Sequence, residues 1–167
     1  MTQLEIGGRF IRSGFWMLLF GMVMSFGMVL HYVANISPPI GPEFTKTIYL
    51  WYACPWTLST AVVLGGALGM IAIGAVYATL ARMASAIPIV GPEKSAVSIC
   101  TISLIAMFLT GYAGYFVVNS IWPDFYYSVV TDGKNLWLLL QLACMVAYTI
   151  GVFLAFNGIR RISYSTA

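Results

Sequence analysis

Residues 58–80 read LSTAVVLGGALGMIAIGAVYATL. The run contains no Asp, Glu, Lys or Arg, and as a helix rising 1.5 Å per residue it is long enough to cross a hydrocarbon core of ~30 Å. A strand of a membrane barrel would be about 10 residues long and would alternate polar with apolar positions. This run does neither. Three further stretches share its character: Gly14–Ala34, Ala96–Ser120 and Leu136–Phe156. The predicted fold is therefore all-α and membrane-integral. It is a bundle of four transmembrane helices over 14–34, 58–80, 96–120 and 136–156, in a single membrane domain covering 1–167. Segments 35–57 and 121–135 are read as outer loops and 81–95 as a cytoplasmic loop.

Composition agrees. The chain has 167 residues, 60% apolar and 8% charged, against about 25% charged in an ordinary soluble domain. Eight basic and five acidic side chains do not cover a water-facing surface of this size. A soluble globular domain, a disordered chain and a nucleic-acid binder with a basic face are excluded. All the charges fall outside the four stretches. Arg9, Arg12, Arg82, Lys94, Arg160 and Arg161 lie on one side of the predicted membrane, and only Lys46 and Lys134 on the other. Cytoplasmic segments carry the excess of Lys and Arg, so both termini and the 81–95 loop are expected to be cytoplasmic. The first stretch reads as a signal anchor rather than a cleaved signal peptide. The expected location is a bacterial inner membrane.

The outer loops are rich in aromatic residues: Tyr49, Trp51, Tyr52 and Trp56 in the first, Trp122, Phe125, Tyr126 and Tyr127 in the second. Rings at headgroup depth form an aromatic belt, and the alternatives are a lid over a pocket opening between the helices or a surface that docks a partner. Within the spans, small residues four apart mark helix contacts. Gly21 and Ser25 have that spacing, as do Gly65 and Gly69. Gly66 with Gly69, and Gly111 with Gly114, would also let a flat molecule approach the backbone. Polar side chains at this depth require partners. Tyr112, Tyr115 and Asn119 fall on one face of the third span, and Gln141 and Tyr148 on one face of the fourth. They serve either as interhelical hydrogen-bonding groups or as holders of a substrate oxygen. His31 is the chain's sole histidine, near the outer end of the first span. It is a candidate axial ligand for one haem iron, and a haem held by two histidines of one chain is excluded by count. Cys54, Cys100 and Cys144 form no CxxC pair, and a structural disulfide is not expected. Met17, Met22, Met24 and Met28 do not share a helix face and read as packing or lipid-facing residues rather than a soft-metal site.

Four spans, a long first outer loop and the local sequences GRFIRSGFWMLLFG, TAVVLGGALGMIAIG, GYAGYFVVN and AYTIGVFLAFNG resemble the family of styrene oxide isomerases and hydroxylaminobenzene mutases.

 The first of these segments runs from Gly8 to Gly21, so the family's Arg-rich entry corresponds to Arg9 and Arg12. Where the family carries a histidine in its second span this chain has Thr60, and where the family carries an asparagine it has Gly66. The resemblance implies a four-helix fold, a trimer, a haem and isomerase chemistry. The family's haem-ligating histidine has no counterpart here, which leaves His31, on the same membrane side, as the one imidazole available.

Three functions compete at this point. The first is a small membrane isomerase that binds an apolar, oxygenated small molecule between its helices, with Tyr112, Tyr115 and Asn119 orienting the substrate oxygen and His31 holding haem as a Lewis acid. The second is a non-catalytic accessory subunit of a larger membrane complex, packed against its neighbours through small residues. The third is a lipid- or quinone-binding module. The lack of ionisable residues at depth argues against pumps and ion channels.

Overall fold

Local signals at the chain's helix boundaries match the way the helices begin. A computed structural model describes residues 2–35, 55–83, 91–113 and 136–165, with the side chains of 28–35, 55–58, 112–113, 136–138 and 165 outside that description. The four helices are α1 (Gln3–Asn35), α2 (Pro55–Met83), α3 (Gly91–Ala113) and α4 (Leu136–Ser165). Thr2 and Glu5 close a capping box on α1. The Glu5 backbone N–H donates to Thr2 Oγ1 (3.2 Å), and the Thr2 N–H donates to Glu5 Oε2 (2.7 Å). Pro55 opens α2 and Pro92 sits in the first turn of α3, where a missing N–H costs no intrahelical bond.

All four helices are long and apolar enough to cross a membrane, and the chain is consistent with an integral membrane protein. The helices run on beyond the apolar stretches. α1 begins at Gln3, well before Gly14, and α3 includes Glu93 and Lys94. Capping at Thr2 explains the first difference, because helix can start wherever the end groups are satisfied.

α1 packs chiefly on α2, and α3 on α4; α2 also touches both α3 and α4. Consecutive helices are antiparallel, so the start of α1 and the end of α4 lie at the same end of the bundle. The α1–α2 contact is a glycine seam. A β-carbon at Gly7 would stand 2.8 Å from the Gly74 carbonyl oxygen, one at Gly74 2.7 Å from that of Gly7, and one at Gly14 2.8 Å from that of Ala67. Gly21 receives the Leu64 side chain. Three glycines seven residues apart keep one edge of α1 bare along its contact with α2, so the two backbones approach closely. Gly65, by contrast, has open space where a β-carbon would be and faces outward. The expected Gly65–Gly69 contact pair therefore does not form: spacing put both on α2, but only Gly69 meets a partner helix.

On the other side of the bundle, Gly151 of α4 sits against Cys100 and the Ala96 carbonyl oxygen of α3. The core runs along these seams through Ile6, Phe10, Met17, Ala67, Met70, Tyr77, Cys100, Leu104, Ala155 and Ile162. Met17 and Met24 are buried and Met22 is exposed, in line with packing and lipid-facing roles. Cys100 and Cys144 are free thiols.

Candidate functional site

Among the described residues, interhelical polar contacts interrupt the apolar core at three levels. At the end of the bundle where α2 and α4 begin, these two helices are joined: Gln141 Nε2 donates to Ser59 Oγ at 2.7 Å, and both side chains are fully buried. Thr60 is buried beside Ser59 in sequence. Gly111 of α3 closes on this pair so tightly that a β-carbon there would overlap Ser59. Three helices thus meet around one carboxamide and one hydroxyl. A serine hydroxyl that accepts one bond keeps a proton to donate, and a carboxamide carries both a donor and an acceptor. The pair can hold a neutral oxygen or nitrogen; it contains no general base.

The middle contact fills a place where a flat ligand was expected. The Tyr148 hydroxyl donates to the Gly66 carbonyl oxygen at 2.6 Å. A β-carbon at Gly69 would stand 2.9 Å from that hydroxyl, and one at Gly66 2.7 Å from Leu104 Cδ2 and 3.3 Å from the Tyr148 ring. The bare backbone of Gly66 and Gly69 accommodates the protein's own phenol, not an open slot. A larger side chain at position 66, such as asparagine, would displace Leu104 or Tyr148.

The contact at the opposite end, where α3 begins and α4 ends, has no signal in the sequence. Glu93 of α3 is buried, and its Oε1 lies 2.7 Å from Nη2 of Arg161 on α4. Glu93 Oε2 is buried with no hydrogen-bond partner among the described residues. Tyr77 of α2 stacks on Phe10 of α1, with ring centroids 6.2 Å apart, and its hydroxyl donates to the Ala155 carbonyl oxygen at 2.9 Å. Gly158 makes room for both groups: a β-carbon there would overlap the Tyr77 hydroxyl and stand 2.8 Å from Glu93 Cδ. All four helices contribute to this cluster. In the sequence Arg161 and Glu93 read only as charges flanking spans, and nothing there pairs them.

Of the residues assigned from sequence, Tyr112 lies in the last turn of α3, next to Gly111 and so next to the Ser59–Gln141 pair along the chain; its side chain is outside the described set. Tyr115, Asn119 and Gly114 lie outside the described residues altogether. His31 has its backbone in the C-terminal part of α1, with its side chain also outside the description. Among the described residues no three His, Cys, Asp or Glu side chains converge as a metal site. Thr101 and Thr110 bond to carbonyls of their own helix, at 2.8 and 3.1 Å. Cys54 and the aromatic outer loops are outside the described residues. No family model, curated protein or solved structure matches the chain.

Proposed function

We propose that this is an inner-membrane protein with both termini cytoplasmic that binds an apolar, oxygenated small molecule between the outer ends of its helices and isomerises it. One observation carries this reading: a fully buried Ser59–Gln141 pair at the end of the bundle where α2 and α4 begin, closed on by Gly111 in the turn that bears Tyr112. Polar groups in hydrocarbon surroundings are costly unless paired, and this side-chain pair next to Tyr112 in the chain's fold supports a polar floor under a substrate oxygen. Tyr112, Tyr115 and Asn119 supply the groups above that floor, and a buried tyrosine can act as a general acid. In this reading His31 holds haem, which when bound supplies a Lewis acid.

Purified protein is assayed for turnover of epoxides and arylhydroxylamines and for a Soret band. Turnover lowered at least ~10-fold in Gln141→Leu, through loss of a polar contact of the kind that controls substrate orientation, supports the reading. A Soret band that persists in His31→Ala excludes His31 as the ligand, and absence of both haem and turnover removes the isomerase.

A second reading rests on a different observation. α4 is the least buried of the four helices, with Leu139, Leu142, Val146, Ile150, Phe153 and Phe156 exposed along its length. That face suits either lipid or neighbouring helices, as in a trimer or as an accessory subunit of a larger complex. Native mass spectrometry after gentle solubilisation separates these cases: a homo-oligomer with no other protein bound ends the accessory-subunit reading.

A further inference from the structure

The basic residues of α1 are placed differently from those of the other helices. Phe20 of α1 meets Phe108 of α3, with ring centroids 5.4 Å apart, and Met24 lies against Gly111 further along the same two helices. Counting back from Phe20 and Phe108 along these parallel helices sets Arg12 level with Cys100. Glu93 and its partner Arg161 mark the inner end of the bundle. From Glu93 to Cys100 is about two helical turns, so Arg12 sits about 10 Å deeper than the Glu93–Arg161 pair. Arg9 lies one turn nearer the end. Both arginines are exposed, so they face away from the bundle.

A charged side chain facing lipid at that depth is stabilised only by reaching back towards the headgroups. Helical side chains tilt towards the N-terminus, which here is the inner end. The position one turn back from Arg12 is Gly8, and nothing lies within 4 Å of where its β-carbon would be. Leu4, Glu5, Gly8, Arg9 and Arg12 line an open groove along this outward face. Glu5 is engaged in the capping box through its Oε2. Below the groove, Phe15, Trp16, Leu19 and Met22 continue the same exposed surface as apolar side chains.

We infer that this groove is a binding site for an anionic phospholipid. The phosphate sits in the notch above Gly8, bridged by the guanidinium groups of Arg9 and Arg12, and an acyl chain runs over Phe15, Trp16 and Leu19. Two arginines give charge complementarity and several N–H donors to one phosphate, and the notch lets the headgroup descend to meet them. The inference rests on the membrane-spanning reading and is independent of any chemistry at the outer end.

The test compares lipid retained by the full chain in native mass spectra, after reconstitution into bilayers of phosphatidylglycerol mixed equally with phosphatidylcholine. Wild-type protein is expected to retain phosphatidylglycerol in preference. Arg9→Gln and Arg12→Gln each lower that preference about five-fold. Gly8→Leu lowers it too, although it keeps both charges and meets no neighbour. Arg160→Gln leaves it unchanged, because Arg160 lies on α4, over the Tyr164 ring. Equal retention of the two lipids by wild type overturns the site, as does an unchanged preference in the Arg9→Gln/Arg12→Gln variant. An equal loss in Arg160→Gln also overturns it, since the effect is then general attraction to an anionic leaflet. Failure to insert into any bilayer overturns the membrane reading itself. All the substituted side chains are exposed or absent, so each variant is expected to keep the wild-type circular dichroism spectrum.

Discussion

The phenol of Tyr148 does two jobs at once, filling the notch over Gly66 and Gly69 and donating to the Gly66 carbonyl. Its two roles separate by mutation. Tyr148→Phe keeps the ring and loses a hydrogen bond, at a cost of about 1 kcal/mol. Tyr148→Ala empties the notch and costs about 3 kcal/mol or more. Thermal unfolding in detergent ranks the two, and an aromatic solute such as benzene is expected to raise the melting temperature of Tyr148→Ala alone, because apolar cavities bind such molecules. Glu93 and Arg161 differ from one another in the same way. Arg161→Leu leaves a buried carboxylate without its cation and costs about 3 kcal/mol, whereas Glu93→Leu leaves an arginine side chain that is 39% exposed and costs less. The double Leu variant is expected to be more stable than Arg161→Leu, which places the cost in the stranded charge. The same melting measurements check that order. The sequence marked Tyr148 as a polar group that bonds across helices or holds a substrate oxygen, but neither its partner Gly66 nor the ion pair between α3 and α4 was legible, because both depend on a register that no local pattern encodes.

At the scale of elements, the α1–α2 contact is set by Gly7, Gly14 and Gly21 against Gly74, Ala67 and Leu64. Gly14→Leu drives a side chain into the α2 backbone and is expected to cost about 3 kcal/mol. Gly65→Leu enters open space and is expected to change stability by less than ~0.5 kcal/mol. Chemical denaturation of the two variants under one condition tests the contrast. The existence of the helices was readable from unbroken apolar runs, since a chain in hydrocarbon must satisfy its own backbone groups. Which face of each helix meets a partner was not. In a membrane the outward face is as apolar as the inward one, so periodicity loses the contrast that marks a core in water. Gly65 and Gly69 illustrate the loss: their spacing suits a contact, yet Gly65 points away from every neighbouring helix.

Across the whole molecule, the charge map put Arg9, Arg12, Arg82, Lys94, Arg160 and Arg161 on one side, and the bundle brings α1's start, α2's end, α3's start and α4's end together at one end. It did not show that the helices are staggered. The outer end of the candidate site was legible only as residue types, because Tyr115 and Asn119 lie beyond the described residues and their neighbours across the bundle cannot be read from spacing along one chain.

The stagger has a consequence for how the molecule would sit in lipid. The exposed surface of α4 carries no charge from Leu139 to Phe156, whereas on α1 the exposed Arg9 and Arg12 stand among the exposed Leu4, Ile11 and Phe15, and Arg12 lies about 10 Å further along the bundle than the Glu93–Arg161 pair. α1 and α4 flank the bundle on different sides, so the two waterlines do not lie in one plane perpendicular to the helices. A flat bilayer can meet both only if the bundle leans, or if the inner leaflet dips beside α1. The glycine seam that fixes α1 against α2 would then also set the protein's tilt.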